Sequence, residues 1–302
     1  FKNLEPLDLS GSTVTDLTVS VDTDDTVVGL VTTTITANGA NTEITFAPFF
    51  EGVILGTITG SLTINGDDTD PDAFTVQSLG SSFAASLTID GKGDSDTISL
   101  GTAGAITLAA GKSLSLTAEA ITFAAGTITT GATQSYTGNV TLGTDVTLNA
   151  AGVSFSGTIN GTHSLTVNSS AATTFSGQIG NTSPLTSLIT DAAGTTTLSG
   201  VATTGSQTYN DSVSLGGTYT TTNANITFAQ AVTVTGDTTL AAGSGTITLG
   251  AATLADGVTL TLGTGGSGAV SLSSVTGTAS GTASNVTFNV TGAVTVSGAI
   301  GT

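Results

Sequence analysis

The sequence predicts an all-β protein, a right-handed parallel β-helix (β-solenoid) with an irregular acidic β region at its N-terminus. Three observations carry that prediction. Threonine is the commonest residue at 66 of 302 positions, glycine follows at 41, and the apolar residues are mostly Val, Ile, Leu and Ala. Thr, Val and Ile suit a pleated, half-buried surface, while glycine supplies tight corners. Short stretches of apolar–polar alternation then follow one another, punctuated by Gly, Asn or Asp roughly every six to ten residues. Finally, the chain echoes itself. Gln134, Tyr136, Val140, Leu142, Val153, Phe155 and Ile159 recur, all at one constant offset, as Gln207, Tyr209, Val213, Leu215, Ile226, Phe228 and Val232. Fixed apolar positions among freely drifting small polar ones mark a stacked repeat architecture. No segment shows the three-and-four spacing of a helix.

Charge divides the chain in two. Residues 1–100 hold 15 of the 21 acidic residues, two of the three lysines, three of the four prolines and an aromatic cluster at Phe46, Phe49 and Phe50. This acidic N-terminal β region is expected to be a cap or the first coils, with 101–302 as the repetitive solenoid. No Pro- or Ser-rich linker separates them, so one continuous body and two domains both stay open.

From about residue 95 the strands come in series. Examples are 97–100, 105–108, 114–117 and 140–142, and later 165–167, 232–234, 247–249, 286–288 and 294–296. Alternation puts one apolar row inside and one Thr/Ser row outside. Strands this short cannot hold a core as isolated hairpins, but stacked coils share their burial. The echo then predicts three coils of about 24 residues or four of about 18, hence about 12 to 16 coils in all. At about 4.8 Å per coil that is a rod of about 60–80 Å. The competing architecture, a string of β-sandwiches, has no Trp or Cys to centre its cores.

The net charge of −18, with no arginine, excludes nucleic-acid binding, because phosphate recognition depends on clustered Lys and Arg. Anionic membrane surfaces repel such a chain. No run approaches the ~18 apolar residues of a membrane helix. Cysteine is absent, so no disulfide staples the fold. Methionine is also absent, so the chain is expected to be a processed or excised form, with loss of an export signal as the processing event. Together these point to an extracellular bacterial protein.

Candidate sites are few. The single histidine, His163, sits in the turn Gly161-Thr162-His163, and a Ser–His–Asp triad with Asp145 has no support in spacing. Many β-helices cleave polysaccharides using Arg or Lys beside acidic clusters, and here Arg is missing altogether. No enzyme is expected. Calcium is the stronger site hypothesis: Asp90, Asp94 and Asp96 crowd the Gly-rich turn Asp90-Gly91-Lys92-Gly93-Asp94-Ser95-Asp96, and Ca²⁺ takes hard oxygen ligands. The turn is similar to one degenerate copy of the calcium-binding nonapeptide repeat. Asp67, Asp68, Asp70 and Asp72 form a second acidic turn, and Asp22, Asp24 and Asp25 a third. The plainer reading of all three is solvated turns that keep a nearly uncharged body in solution. Thr-x-Thr pairs such as Thr127-Ile128-Thr129 are spaced too irregularly for an ice-binding face and read as outward strand positions. Eight Asn-x-Ser/Thr sequons, from Asn139 to Asn289, are little more than the abundance of Ser and Thr would produce.

The segments Thr130-Gly131-Ala132-Thr133-Gln134-Ser135-Tyr136 and Thr204-Gly205-Ser206-Gln207-Thr208-Tyr209 are each followed by a Val-x-Leu-Gly strand. With Ser183-Pro184-Leu185-Thr186-Ser187-Leu188 and the following Gly194-Thr195-Thr196-Thr197-Leu198, they resemble repeats of large secreted bacterial adhesins. The broad family is the filamentous-haemagglutinin or autotransporter-like β-helix, and the resemblance covers roughly residues 100–300. It implies an extracellular, rod-like surface protein. The C-terminal sequence from Val294 is still strand-like, so the rod is expected either to continue as a longer stalk or to dock on the N-terminal region of another copy. The expected function is therefore a non-enzymatic structural protein of an extracellular bacterial surface fibre, as head-to-tail filament subunit or adhesin stalk. The alternative is a calcium-stabilised adhesive module that recognises a glycan or partner cell. Expected partners are other copies of the chain and, under the alternative, cell-surface glycans.

Overall fold

A computed structural model describes residues 7–21, 30–47, 50–278 and 281–301, and every element among them is a β-strand. With no helix among the described residues, none is long and apolar enough to cross a membrane. The chain divides into two compact units, 1–156 and 157–302. Each is a β-solenoid of parallel strands.

The first unit opens with β1 (Leu7–Ser20), β2 (Val31–Asn38), β3 (Asn41–Ala47) and β4 (Phe50–Asn65). It continues through β5 (Asp72–Val76), β6 (Ser86–Asp90), β7 (Thr97–Leu100), β8 (Ile106–Thr107) and β9 (Leu114–Phe123). It closes with β10 (Thr127–Thr129), β11 (Thr133–Leu142), β12 (Val146–Ala150) and β13 (Gly152–Phe155). One parallel ladder stacks Leu17, Leu62, Leu87, Leu114, Gln134 and Val153. A second stacks Ile35, Val76, Leu100, Phe123 and Leu142. A third carries Ile106, Ile128 and Leu148. Leu62, Leu87, Leu100, Leu114 and Phe123 are fully buried, so alternation does put an aliphatic column inside and hydroxyl-bearing residues outside.

The irregular part of the acidic region is now concrete. Leu17 and Leu62 are neighbours in the ladder although a long stretch of chain separates them. Between them β2 and β3 form an antiparallel hairpin, closed at Asn38 and Asn41 over Gly39 at φ 64°, and β3 also pairs antiparallel with β4. Of the Phe cluster, Phe46 lies half-buried on β3 and pairs in register with position 50, while Phe49 falls outside the described residues.

The second unit begins with β14 (Ile159–Asn160), β15 (Ser164–Ser169), β16 (Ala172–Phe175), β17 (Ser187–Thr190) and β18 (Thr195–Leu198). Next come β19 (Val201–Thr203), β20 (Gln207–Tyr209), β21 (Ser212–Thr221), β22 (Ile226–Phe228) and β23 (Val232–Ala241). Last are β24 (Ile247–Leu254), β25 (Thr259–Gly266), β26 (Val270–Gly277), β27 (Asn285–Val290) and β28 (Val294–Val296). Three ladders wall its core. The first stacks Leu165, Leu188, Gln207, Ile226, Ile247, Val270 and Val294. The second runs from Thr173 and Thr196 through Val213, Val232, Ala252 and Val275 to Ile300. The third stacks Ile159, Ile179, Val201, Tyr219, Leu240, Leu262 and Phe288.

Uniform coils of about 18 or 24 residues are not what the chain builds. The step from one coil to the next is short at Gln134–Val153 and clearly longer at Leu87–Leu114. Most coils are longer than the shorter expectation, so fewer of them fit than about 12 to 16. The corners absorb the differences in coil length, because paired strand segments must keep register with their neighbours.

Candidate functional site

The corner that leads into β5 and β7 is the most unusual place in the first unit. Solenoid strands need their first N–H groups satisfied where the backbone turns, and a carboxylate one coil along does it here. The Asp72 N–H donates to Asp96 Oδ1 at 2.8 Å, and the Asp96 N–H donates to Glu119 Oε2 at 2.7 Å. Asp72, Asp96 and Glu119 thus stack on successive coils. Asp72 Oδ2 also accepts the Asp67 N–H at 3.0 Å. Asp67 Oδ1 in turn accepts the N–H groups of Thr69 and Asp70, fixing the outer turn.

Asp72 and Asp96 are buried, at 2% and 1% exposure. Gly66 and Gly91 make this possible: a Cβ at either would strike Asp72 Oδ2 or Asp96 Oδ2 respectively. Asp96 Oδ2 is one of two buried side-chain oxygens among the described residues without a hydrogen-bond partner; the other is Thr33 Oγ1. Burial pushes the Asp72 carboxyl up to about 6; the Asp67 N–H opposes this, and the charges of Asp67, Asp96 and Asp70 add to it. Asp96 is likewise pushed up to about 6, by burial first, against the Asp72 N–H and with Glu119, Asp67 and Asp94 reinforcing.

The calcium candidates Asp90, Asp94 and Asp96 share this turn but not a focus. Asp90 is held by the Lys92 ammonium at 2.9 Å, and its Oδ1 accepts the Lys92 N–H. Asp94 is exposed at φ 62°, and Asp96 turns inward to the Asp72 amide. Among the described residues no group of three or more His, Asp or Glu is arranged to hold a metal ion. Reading both acidic turns as solvated fails at Asp72 and Asp96, which are core. Asp22, Asp24 and Asp25 fall outside the described residues.

Glu119 was not legible as a partner of these turns, yet a signal existed. Asp72, Asp96 and Glu119 directly precede Ala73, Thr97 and Ala120, which are successive partners in one ladder. The three acids therefore recur at the local coil length, and residues that recur at that length share a corner.

Each echo segment places a buried Gln–Tyr pair. Gln134 Nε2 donates to the carbonyls of Ile128 and Asn149, and the Tyr136 hydroxyl donates to Gln134 Oε1 at 2.9 Å. In the second unit Gln207 Nε2 donates to the carbonyls of Val201 and Thr220 and to Thr203 Oγ1, with the Tyr209 hydroxyl on Gln207 Oε1 at 3.1 Å. Tyr136 stacks on Phe155 and Tyr209 on Phe228, at 4.9 and 4.7 Å. Both phenols are pushed well above their ordinary value by burial, so they act as fixed donors and not as acids. Asp211, also buried, accepts the hydroxyls of Thr190 at 2.7 Å and Thr196 at 2.6 Å; burial raises its carboxyl despite them. These groups satisfy corner backbone and side chains, and their geometry offers a substrate no access.

His163 lies half-buried in the bend before β15, its carbonyl accepting the Thr186 N–H, whereas Asp145 is an exposed residue of the bend before β12. Asn160 and Asn210, two of the sequon asparagines, spend their side chains bridging to neighbouring coils.

The ends of the two ladders differ from their middles. Leu7 on β1 is 57% exposed, and among the described residues β1, which carries Leu9, Val14, Leu17 and Val19, pairs with β4 alone. At the other terminus Val294 and Ile300 are 43% and 53% exposed. There a cavity of about 430 Å³ lies beside the corner of residues Gly277, Thr278 and Gly281–Ser284, with Leu254, Val275, Val286, Phe288 and Ile300 on its apolar side. Among the described residues no strand pairs with the outer edges of β27 and β28.

No protein-family model matches the chain, and no curated protein or solved structure matches it either.

Proposed function

We propose that the protein is a non-enzymatic structural component of an extracellular bacterial surface fibre, assembled head to tail by strand pairing between copies. The observation that carries the reading is the pair of half-covered terminal coils. Among the described residues, β1 and β28 each present one unpaired backbone edge beside exposed apolar side chains, Leu7 on one and Val294 and Ile300 on the other. An unpaired edge is a template for another strand. Two unlike edges make a heterologous contact, which does not close and therefore propagates. The first coil of the next copy would cover the exposed side chains of the last coil, as each interior coil is covered by its neighbour. The adhesin-like repeat segments support the same class of protein, and a longer stalk uses the same coil-on-coil contact within one polypeptide.

The test is concentration-dependent light scattering of the purified chain beside Val294→Lys and Ile300→Lys. These side chains are exposed, so the variants should fold as the parent does. The expected result is growth of particle mass with concentration in the parent and none in the variants. Equal behaviour of all three would remove the C-terminal edge from the interface.

A further inference from the structure

The acidic corner of the first unit does something that assembly does not require. We propose that Asp72 and Asp96, stacked with Glu119 on successive coils, form a proton-operated latch, closed when one of the two aspartates carries a proton and loosened when both are ionised. Three observations converge on it. The stack is ordered by backbone N–H groups, one coil to the next, so it cannot relax by swinging its carboxylates into water without losing the caps on β5 and β7. Its central member keeps one oxygen, Asp96 Oδ2, buried with no partner, which is the position a proton would occupy. Among the described residues both lysines are engaged elsewhere: Lys92 on Asp90, and Lys112 on the Thr59 carbonyl at 2.6 Å.

The surroundings make full ionisation costly. Facing Asp72 are Asp67, Asp70 and Asp96; facing Asp96 are Asp67, Asp94 and Glu119. β2, paired to β5 from the other side, brings no charged residue between Val31 and Asn38. Among the described residues only acids act on the pair, and like charges at close range suppress ionisation of one another. The direction follows from the raised carboxyls. Between the ordinary value of 3.8 and about 6, the folded chain holds protons that the unfolded chain has released. Stability of this corner therefore rises as pH falls through that window, and the gain is absent above about 6. This corner is thus firmest in mild acid. Most acid-sensitive proteins behave in the opposite way, because their carboxylates are paired when folded.

Two readouts on the full chain test the latch. The first is a carboxyl-carbon NMR titration, with Asp72→Asn and Asp96→Asn to assign the signals. Two aspartate carboxyls, each lost in one variant, should titrate between about pH 5 and 7, after the solvated acids have finished. Titration of both below pH 5 would overturn the proposal. The second is hydrogen exchange of peptides spanning β5 and β7, corrected for intrinsic rates, at pH 5.0 and 7.5. Protection should fall about tenfold or more from the lower to the higher pH in the parent. It should fall by clearly less in Asp96→Asn, whose amide oxygen still accepts the Asp72 N–H and in which Asp72 alone is left to titrate. The parent and the variant share nearly the same overall charge, so an equal fall in both would assign the effect to general charge repulsion and sink the latch. A third arm adds calcium chloride at pH 7.5 against a sodium chloride control of equal ionic strength. Recovery of protection with calcium alone would make the corner a cation site and overturn the proton assignment; no recovery supports it.

Discussion

Gln207 and Tyr209 show how a polar residue comes to occupy the core of a solenoid. Gln207 is fully buried, and each of its side-chain groups has a partner: three acceptors for the amide nitrogen and the Tyr209 hydroxyl for the oxygen. A satisfied buried network costs little, whereas half of one costs a great deal. Gln207→Leu should therefore destabilise the chain by about 1–3 kcal/mol, since it strands the Tyr209 hydroxyl and two carbonyls. Tyr209→Phe strands the Gln207 oxygen and should cost a similar amount. The double variant should cost less than the sum of the singles, because one shared bond is lost once. Urea unfolding of the four proteins reads this directly; strict additivity would mean the pair is not coupled. The sequence displayed the echo but not its cause. The offset that relates Gln134 to Gln207 also relates Ile128 to Val201, whose carbonyls accept from the two amides. What repeats is therefore a local plug of Gln, Tyr and corner backbone. Burial of Asp72 and Asp96 was hidden for a related reason. A carboxylate in a Gly-rich turn looks the same in sequence whether it points out or tucks under the glycine.

At the scale of the element, the strands were legible and the corners were not. Alternation such as Leu165-Thr166-Val167 fixes which side chains face the core, and Leu165 and Val167 are indeed fully buried. Alternation has no direction, however, so the antiparallel hairpin of β2 and β3 reads like any two coil strands. Corners are set by glycine geometry, which two adjacent residues isolate. Gly217 sits at φ 82° where β21 bulges from one ladder to the next, and a Cβ there would strike the Ser199 carbonyl oxygen. Gly216 has a negative φ and nothing within 4 Å of where its Cβ would be. Gly217→Ala should lower stability by about 1–3 kcal/mol, from backbone strain and the clash with the coil below. Gly216→Ala should stay within about 0.5 kcal/mol of the parent. Thermal melts of the two variants decide it, and equal losses would mean the bulge relaxes freely.

For the whole molecule, the composition sets what the surface can do. A net charge of −18 with three lysines leaves little scope for strong electrostatic docking between copies, so the proposed association would come from backbone edges and apolar side chains. That is what the ends present: Leu7 on β1, then Val294 and Ile300 with the open cavity at the other terminus. A strand-like C-terminal sequence pointed to this edge, but the cavity became visible only when Val275, Phe288 and Ile300 were placed on their ladders. Repulsion between copies of like charge should make assembly stronger in salt, since screening reaches about 10 Å at 0.1 M. The most direct measurement is electron microscopy of the purified, undenatured chain at rising concentration and physiological salt, with calcium and after chelation. Unbranched filaments of uniform width, with an axial repeat of one chain and absent in Val294→Lys, are the predicted result. Single particles at every concentration would contradict head-to-tail assembly.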